Sequence, residues 1–298
     1  MTTLLKRLAA ALSLLVGVFI LCFVLFQLLP ADPVRAALGP YASREAVQSV
    51  RHELGLDLPP GKRFVASAAK LLKGDWGNSI IDGRSVASLV WSKFLTTAKI
   101  GLSASLLAAV ISIALNVWAI VWPPAGQVIR WGKRLSHLPA FVLAFAAALL
   151  LAMIFPALSL SAGTSTFVLA IVLASLHPAA LLAALLSERI EKEQSSSQWK
   201  AARALGHGGF HLFYRSLFRP VAVSWLAVVI NQVSGVVFTV LLIEITFSLP
   251  GLGTLFLSAT QRADLPILQG IVLANAVFFV VLAILAEIAY NRLDPRLR

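Results

Sequence analysis

Six long apolar runs divide the chain, at residues 8–29, 97–122, 135–155, 166–186, 221–245 and 267–290. A helix crossing the hydrocarbon core of a bilayer needs ~20 mostly apolar residues, and each run is close to that length. A half-buried helix of a soluble domain would instead show polar residues recurring on one face. The pattern therefore predicts six membrane-spanning helices. Lys6 and Arg7 precede the first run as they would precede a signal peptide. Its core of 22 residues is longer than the usual ~7–15 of such peptides, and Leu29-Pro30-Ala31-Asp32 offers no small-x-small cleavage site, so it reads as a retained first helix.

Between the first two runs, residues 30–96 mix apolar and polar positions. Ser43 followed by Ala46, Val47, Val50 and Leu54 predicts a capped amphipathic helix ending at Gly55, and residues 64–72 predict a second. Gly74-Asp75-Trp76-Gly77-Asn78-Ser79 is a turn cluster. This stretch is expected to form a small helical cap on the outer side, held at the membrane surface by Trp76 and Trp91. The chain then divides into residues 1–29 (N-terminus and first span), 30–96 (outer helical segment) and 97–298 (a five-helix core with a cytoplasmic loop at 187–220). Internal repeats are not evident, and low complexity is limited to the polar stretch 194–198.

Composition sharpens the class. Hydrophobic residues make up 59% of the 298, charged residues 13%, and mean hydropathy is +0.87. Soluble domains carry about a quarter charged residues, so this chain could not cover a soluble surface. A soluble enzyme, a disordered tail and, with Cys22 the one cysteine, a disulfide scaffold are all excluded. The net charge of +12 would suit nucleic acid only if gathered on one groove. Instead the basic residues sit between the apolar runs, as topology demands of a membrane protein. With the N-terminus inside, cytoplasmic stretches hold Lys6, Arg7, Arg130, Lys133, Arg134, Arg189, Lys192, Lys200, Arg203, Arg215, Arg219, Arg292, Arg296 and Arg298, whereas the two short outer connections hold only Arg262. Both termini are expected in the cytoplasm.

Polar groups inside the runs are candidates for function. A central Asp, Lys or Arg costs about 2.5–3.5 kcal/mol on insertion scales, so polar side chains in a span face a cavity or a partner. Asn231 and Gln232 lie deep in the fifth run, Asn116 in the second, and His177 with Pro178 in the fourth. Asn231, Gly235 and Phe238 share one helical face, as do Ser224 and Asn231. That face either lines a pathway or makes an interhelical hydrogen bond, worth roughly 0.6 kcal/mol. Glu244, just before the Pro250-Gly251 turn, could line an outer gate or tie that turn to the last span. Glu287 has Arg292 less than two turns on. His207 and His211 have a workable metal spacing, but no third ligand is apparent, so no metal site is expected. His177 alone reads as packed or hydrogen-bonded, and Cys22 as a small buried hydrophobe.

The loop between the fourth and fifth runs reads Gln198-Trp199-Lys200-Ala201-Ala202-Arg203-Ala204-Leu205-Gly206, and residues 207–218 follow as a short amphipathic helix with Phe210, Phe213, Tyr214 and Leu217 on one side. Small residues at 201, 202 and 204 allow close approach, and Gly206 tolerates the left-handed backbone that ends a helix. Physics alone leaves two uses for this element: docking a partner, or resting on lipid headgroups.

The block Lys200-Ala201-Ala202-xxx-Gly206, with Arg215 and Arg219-Pro220 at matching distances, resembles the cytoplasmic "EAA" loop of binding-protein-dependent ABC importer permeases. The likeness is to the B-type membrane subunit of the dipeptide/oligopeptide/nickel group. Further matching blocks are Leu29-Pro30-Ala31-Asp32-Pro33 with Glu53-Leu54-Gly55-Leu56-Asp57, Gly74-Asp75-Trp76-Gly77-Asn78-Ser79, the stretch from Glu244 to Gly253, and Asp264-Leu265-Pro266 with Asp294-Pro295-Arg296-Leu297-Arg298. Lys200 stands where relatives often carry glutamate.

The resemblance implies an all-α subunit of the bacterial inner membrane that forms half of a translocation pathway with a related C-type subunit. Two cytoplasmic ATPases would dock on the coupling loop (Lys200, Ala201, Ala202, Gly206, Phe210, Phe213, Arg215, Arg219), and an extracytoplasmic binding protein would deliver cargo. ATP and Mg belong to the ATPases. This chain has no Gly-xxxx-Gly-Lys-Ser/Thr loop to cradle phosphates, and no cofactor of its own is expected. Candidates for the pathway or its gate are Asn116, His177, Asn231, Gln232, Gly235, Glu244, Pro250 and Gly251. Short peptides, nickel chelates and metallophores are the implied cargoes. The rival is an ion-coupled secondary transporter acting alone, for which inverted repeats and midplane acids would be the signature.

Overall fold

The computed structural model describes residues 2–27, 33–39, 41–53, 55–154, 163–205 and 218–293. Among them the regular structure is helical: α1 (Thr2–Gln27), α2 (Pro33–Leu38), α3 (Arg44–Glu53), α4 (Pro60–Leu72), α5 (Val86–Val121), a 3-10 turn (Pro123–Ala125), α6 (Gly126–Leu135), α7 (Ala140–Ile154), α8 (Thr164–Gln194), α9 (Ser197–Ala204), α10 (Arg219–Thr246), α11 (Leu252–Gln261) and α12 (Leu265–Leu293). The described residues hold no strand, only an isolated antiparallel bridge between Asn78 and Ser85. Two compact units result: Met1–Thr96 with Pro250–Val281, and Thr97–Leu249 with Leu282–Arg298.

In the first unit, the sequence signals for α3 are realised locally. The Ser43 hydroxyl accepts the Ala46 N–H at 3.1 Å, and Gly55 adopts φ 66°, letting Leu56 N–H close on the Arg51 carbonyl at 2.9 Å. α4 starts at Pro60, ahead of the expected residue 64, because proline's missing N–H costs nothing at a first helical position. α1 packs on α4 through aromatics. The Phe64 ring lies 5.4 Å from Phe19 and 5.2 Å from Phe23, and Arg63 sits 5.4 Å over the Phe23 ring. Cys22, on the same helical face, is buried. The stretch 246–266 had no apolar run of its own and was expected to be a plain connection. It holds a helix, α11, whose Leu252, Gly253 and Ala259 are buried and whose Thr254 hydroxyl bonds back to the Gly251 carbonyl at 3.0 Å.

The start of α5 meets α12 at Gly270. A Cβ placed there would lie 2.5 Å from Val86 Cγ1, 3.2 Å from Val90 Cγ2 and 3.5 Å from Trp76 Cε3. Trp76 is thus half-buried against this crossing.

The second unit is built around α8, which packs on α6, α7, α9 and α10, while α10 also packs on α7. Small side chains let the helices approach: Ala104, Ala144, Ala148, Ala170 and Ala174 sit in one buried cluster with Ile100, Leu173, Val240 and Ile243. Gly132 lets α6 lie against α8, where an added Cβ would be 3.3 Å from Ala180 Cβ. Several boundaries depart from the apolar runs. α5 begins at Val86, and its 36 residues span about 54 Å, so it outreaches a ~30 Å hydrocarbon core. α8 continues past residue 186 to Gln194 through a mostly polar segment, of which Ile190 is buried in one cluster with Leu186 and Trp199. The third run does not start a helix at Leu135: that residue ends α6, and Pro139, which lacks an N–H and disfavours helix before it, separates α6 from α7.

Among the described residues, four helices are long and apolar enough to cross a membrane: Val86–Val121, Ser165–Gln194, Trp225–Thr246 and Leu265–Ile288. A fifth is added if Pro123–Leu135 and Ala140–Leu151, bent by 115°, count as one broken span. The apolar part of α1, Ala9–Leu25, is shorter.

Candidate functional site

Along α10, positions 231, 235, 238 and 242 follow one helical stripe. Asn231 and Gly235 are exposed, as are Phe238 and Leu242 (60% and 45%), whereas Val233, Val236, Val237, Val240 and Ile243 are buried on the other side. The helix thus turns its apolar face into the unit and presents an amide, a glycine and an aromatic ring outward. Gln232 is half-buried, with Oε1 3.8 Å from where a Gly235 Cβ would be. The stripe carries no charge. Of Ser224 only the helical backbone is described.

Three other polar candidates are tied into the unit itself. Asn116 is 2% exposed, and its Nδ2 donates to the Ser112 carbonyl at 2.9 Å and to the Ala183 carbonyl at 3.0 Å. It therefore joins α5 to α8. His177 Nε2 lies 3.1 Å from the Ser136 carbonyl, an acceptor that puts the hydrogen on that nitrogen. Glu244 is fully buried and accepts the Thr97 hydroxyl at 2.7 Å, while the Glu244 carbonyl accepts the Leu249 N–H at 2.9 Å. The Glu244 side chain thus ties α10 to α5. Thr97 was not singled out in the sequence. Pro250 is exposed and Gly251 buried, the latter opening α11.

The described part of the loop between α8 and α10 is α9. Ser196 caps it, its hydroxyl accepting the Trp199 N–H at 3.2 Å. Trp199 is buried among Leu186, Ile190 and Val221, with Phe218 and Trp225 beside them, so one side of α9 is anchored on the ends of α8 and α10. Lys200 and Ala201 are exposed. For Ala202, Arg203 and Arg219 only the helical backbone is described, and Gly206, His207, Phe210, His211, Phe213 and Arg215 lie outside the described residues.

The first unit holds a clasp between two of the sequence blocks. Ser79 Oγ donates to Asp264 Oδ2 at 2.5 Å, and Asp264 Oδ1 accepts the Ile80 N–H at 3.4 Å. The same Ser79 oxygen accepts the N–H groups of Ile81 and Asp82 at 3.2 and 3.0 Å. Both side chains are nearly fully buried. Asp264→Ala would leave the Ser79 hydroxyl and the Ile80 N–H without their acceptor and is expected to cost about 1–3 kcal/mol. Thermal unfolding of the purified chain checks this; an unchanged midpoint would mean that the clasp is idle. Among the described residues, no group of three His, Cys, Asp or Glu could hold a metal ion.

Residues 130–298 match the family described as "Binding-protein-dependent transport system inner membrane component", and residues 1–100 match the family of N-terminal segments of such membrane components. The chain is 26% identical over 308 residues to "Probable peptide ABC transporter permease protein y4tP" of Sinorhizobium fredii, covering 99% of this chain and 98% of that one. It is 28% identical over 307 residues to the glutathione transport system permease protein GsiC of Salmonella paratyphi A, again covering 99% and 98%. Among solved structures, an amino acid ABC transporter crystallised with histidines superposes with a TM-score of 0.52 at 16% identity, over 69% of this chain and 94% of that chain, a likeness of fold.

Proposed function

The chain belongs to the family of binding-protein-dependent transport system inner membrane components, and on that premise we propose that it forms half of the pathway of an ATP-driven importer for short peptides. It is an inner-membrane permease subunit and not an enzyme. The observation that carries the reading is the likeness over nearly the whole chain to permeases named for peptide and glutathione transport. The uncharged stripe of Asn231, Gly235 and Phe238 supports it: an amide and an aromatic ring suit the peptide groups and side chains of a short peptide better than a free metal ion. Nickel chelates and metallophores have no comparable support.

In this reading six helices cross the membrane, both termini are cytoplasmic, and residues 30–96 lie outside, as the placement of basic residues implies. A related permease subunit completes the pathway, two ATPases supply ATP and Mg chemistry, and a binding protein brings cargo. Energy enters where α9 and the residues after it meet an ATPase. Lys200 is exposed where relatives often carry an acid, so the partner's contact there is expected to be acidic or neutral. ATP binding closes the ATPase pair, moves the coupling loops and opens the pathway outward; hydrolysis resets it. No observation favours the secondary transporter, which would work without these partners.

Two outcomes are expected. A reporter fused after Arg298 will signal cytoplasm, and a signal from the opposite side would overturn the six-span orientation. Gentle extraction of the tagged chain, followed by mass spectrometry, will bring a second permease chain and ATPase subunits; a chain recovered only with itself would oppose the importer.

A further inference from the structure

The helix α6 is divided into three faces. At 100° per residue, Ile129 and Gly132 point to one side, Val128, Trp131 and Leu135 to a second, and Arg130 and Arg134 to a third. The first face is spent on the protein: Ile129 is buried, Gly132 lies against Ala180 of α8, and Lys133 at its edge pairs with Glu188 of the same helix. The second face is open. Val128 is 48% exposed, Trp131 59% and Leu135 49%. The third is basic and exposed, and Arg134 stacks on Trp131 with its guanidinium carbon 4.7 Å from the ring centre.

Direction and context agree with one environment for these faces. α6 with its preceding turn meets α7 at 115°, so if α7 crosses the bilayer, α6 runs across the crossing direction, near the membrane plane. Immediately before it in the chain, Trp118 and Trp122 stack at 5.3 Å and are 45% and 51% exposed, the residue type that gathers where headgroups meet acyl chains. An apolar stripe bearing tryptophan beside a row of arginines is the pattern of a helix lying in that boundary.

We propose that α6 is an interfacial helix that binds anionic phospholipid, with Arg130 and Arg134 on the phosphate groups and Val128, Trp131 and Leu135 seated in the upper acyl region. Charge complementarity selects the lipid class: each arginine near an anionic surface adds about fivefold in affinity, and the zwitterionic headgroup offers no such gain. The leaflet is the cytoplasmic one on the orientation proposed above. Binding itself needs neither ATP nor cargo, so a failure of the importer reading leaves this inference standing and separately testable.

The test uses the full chain in mild detergent, offered equal amounts of phosphatidylglycerol and phosphatidylcholine, with retained lipid counted by native mass spectrometry. Phosphatidylglycerol is expected to be retained in preference, and Arg130→Gln/Arg134→Gln to lower its retention by about fivefold per arginine. In vesicles of brominated phosphatidylglycerol, the part of the fluorescence lost in Trp131→Phe is expected to be quenched. The proposal falls if the double variant retains phosphatidylglycerol as wild type does, or if the Trp131 signal is unquenched. It falls equally if the variant keeps its lipid but loses an ATPase subunit on extraction, since α6 would then be a protein-docking surface.

Discussion

Gly270→Ala is expected to destabilise the fold by overpacking the crossing of α5 and α12. The added carbon would stand 2.5 Å from Val86 Cγ1 and 3.2 Å from Val90 Cγ2. Valine in a helix has one strongly preferred rotamer, and both valines are almost wholly buried, so neither can swing aside. α12 and the start of α5 must separate, or Val86 must leave its well. Overpacking of this kind costs about 1–3 kcal/mol. Gly17→Ala supplies the contrast. Nothing lies within 4 Å of the corresponding position in α1, and alanine is the better helix former by up to ~1 kcal/mol, so that variant should be neutral or slightly more stable. Thermal unfolding of the purified chain, followed by circular dichroism, compares the two. Equal midpoints for Gly270→Ala and wild type would contradict the packing of this crossing.

Gly206→Pro is expected to have the largest effect on transport. α9 ends at Ala204, with the Leu205 N–H still bonded to the Ala201 carbonyl at 3.1 Å. Glycine at the next position suits the left-handed turn that stops a helix, whereas proline fixes φ near −65° and pushes the residue before it out of helical geometry. Proline cannot take up a left-handed turn, and a backbone strain of about 1–3 kcal/mol would deplete the docking arrangement by about five- to a hundredfold. ATP-driven uptake should fall by that order while the chain still inserts and the ATPases still hydrolyse ATP. Gly206→Asn, which tolerates the left-handed region, should retain most of the uptake. Normal uptake by the proline variant would remove Gly206 from the coupling element.

The apolar runs announced the helices because a span has to be apolar over its whole membrane depth. Local signals did as well where one residue decides the outcome: Ser43 and Gly55 bracket α3 as their chemistry requires. Ends were less legible. Residues 187–194 of α8 are polar apart from Ile190 and lie beyond the apolar run, so hydropathy stopped before the helix did. α11 is short, and a ten-residue helix that needs no bilayer leaves no run to find. Helical arithmetic placed Asn231, Gly235 and Phe238 on one stripe without help from tertiary structure.

Distant pairings could not be read. Thr97 meets Glu244 across 147 residues, and Ser79 meets Asp264 across 185. Glu244, Ser79 and Asp264 each fell in a block that the sequence marked and Thr97 did not, but a single sequence holds nothing that says which two share a site. The same limit explains Asn116 and His177. A polar residue within an apolar run signals a partner, yet whether that partner is cargo or a carbonyl of the next helix depends on packing.

The proposed importer conducts cargo only when ATPases drive it. The most direct measurement is uptake of a radiolabelled short peptide into proteoliposomes containing the chain with its copurified subunits, the binding protein outside and ATP inside. Uptake is expected to require ATP and the binding protein and to stop when the ATPases are omitted. Uptake by this chain alone, driven by an ion gradient without ATP, would contradict the proposal.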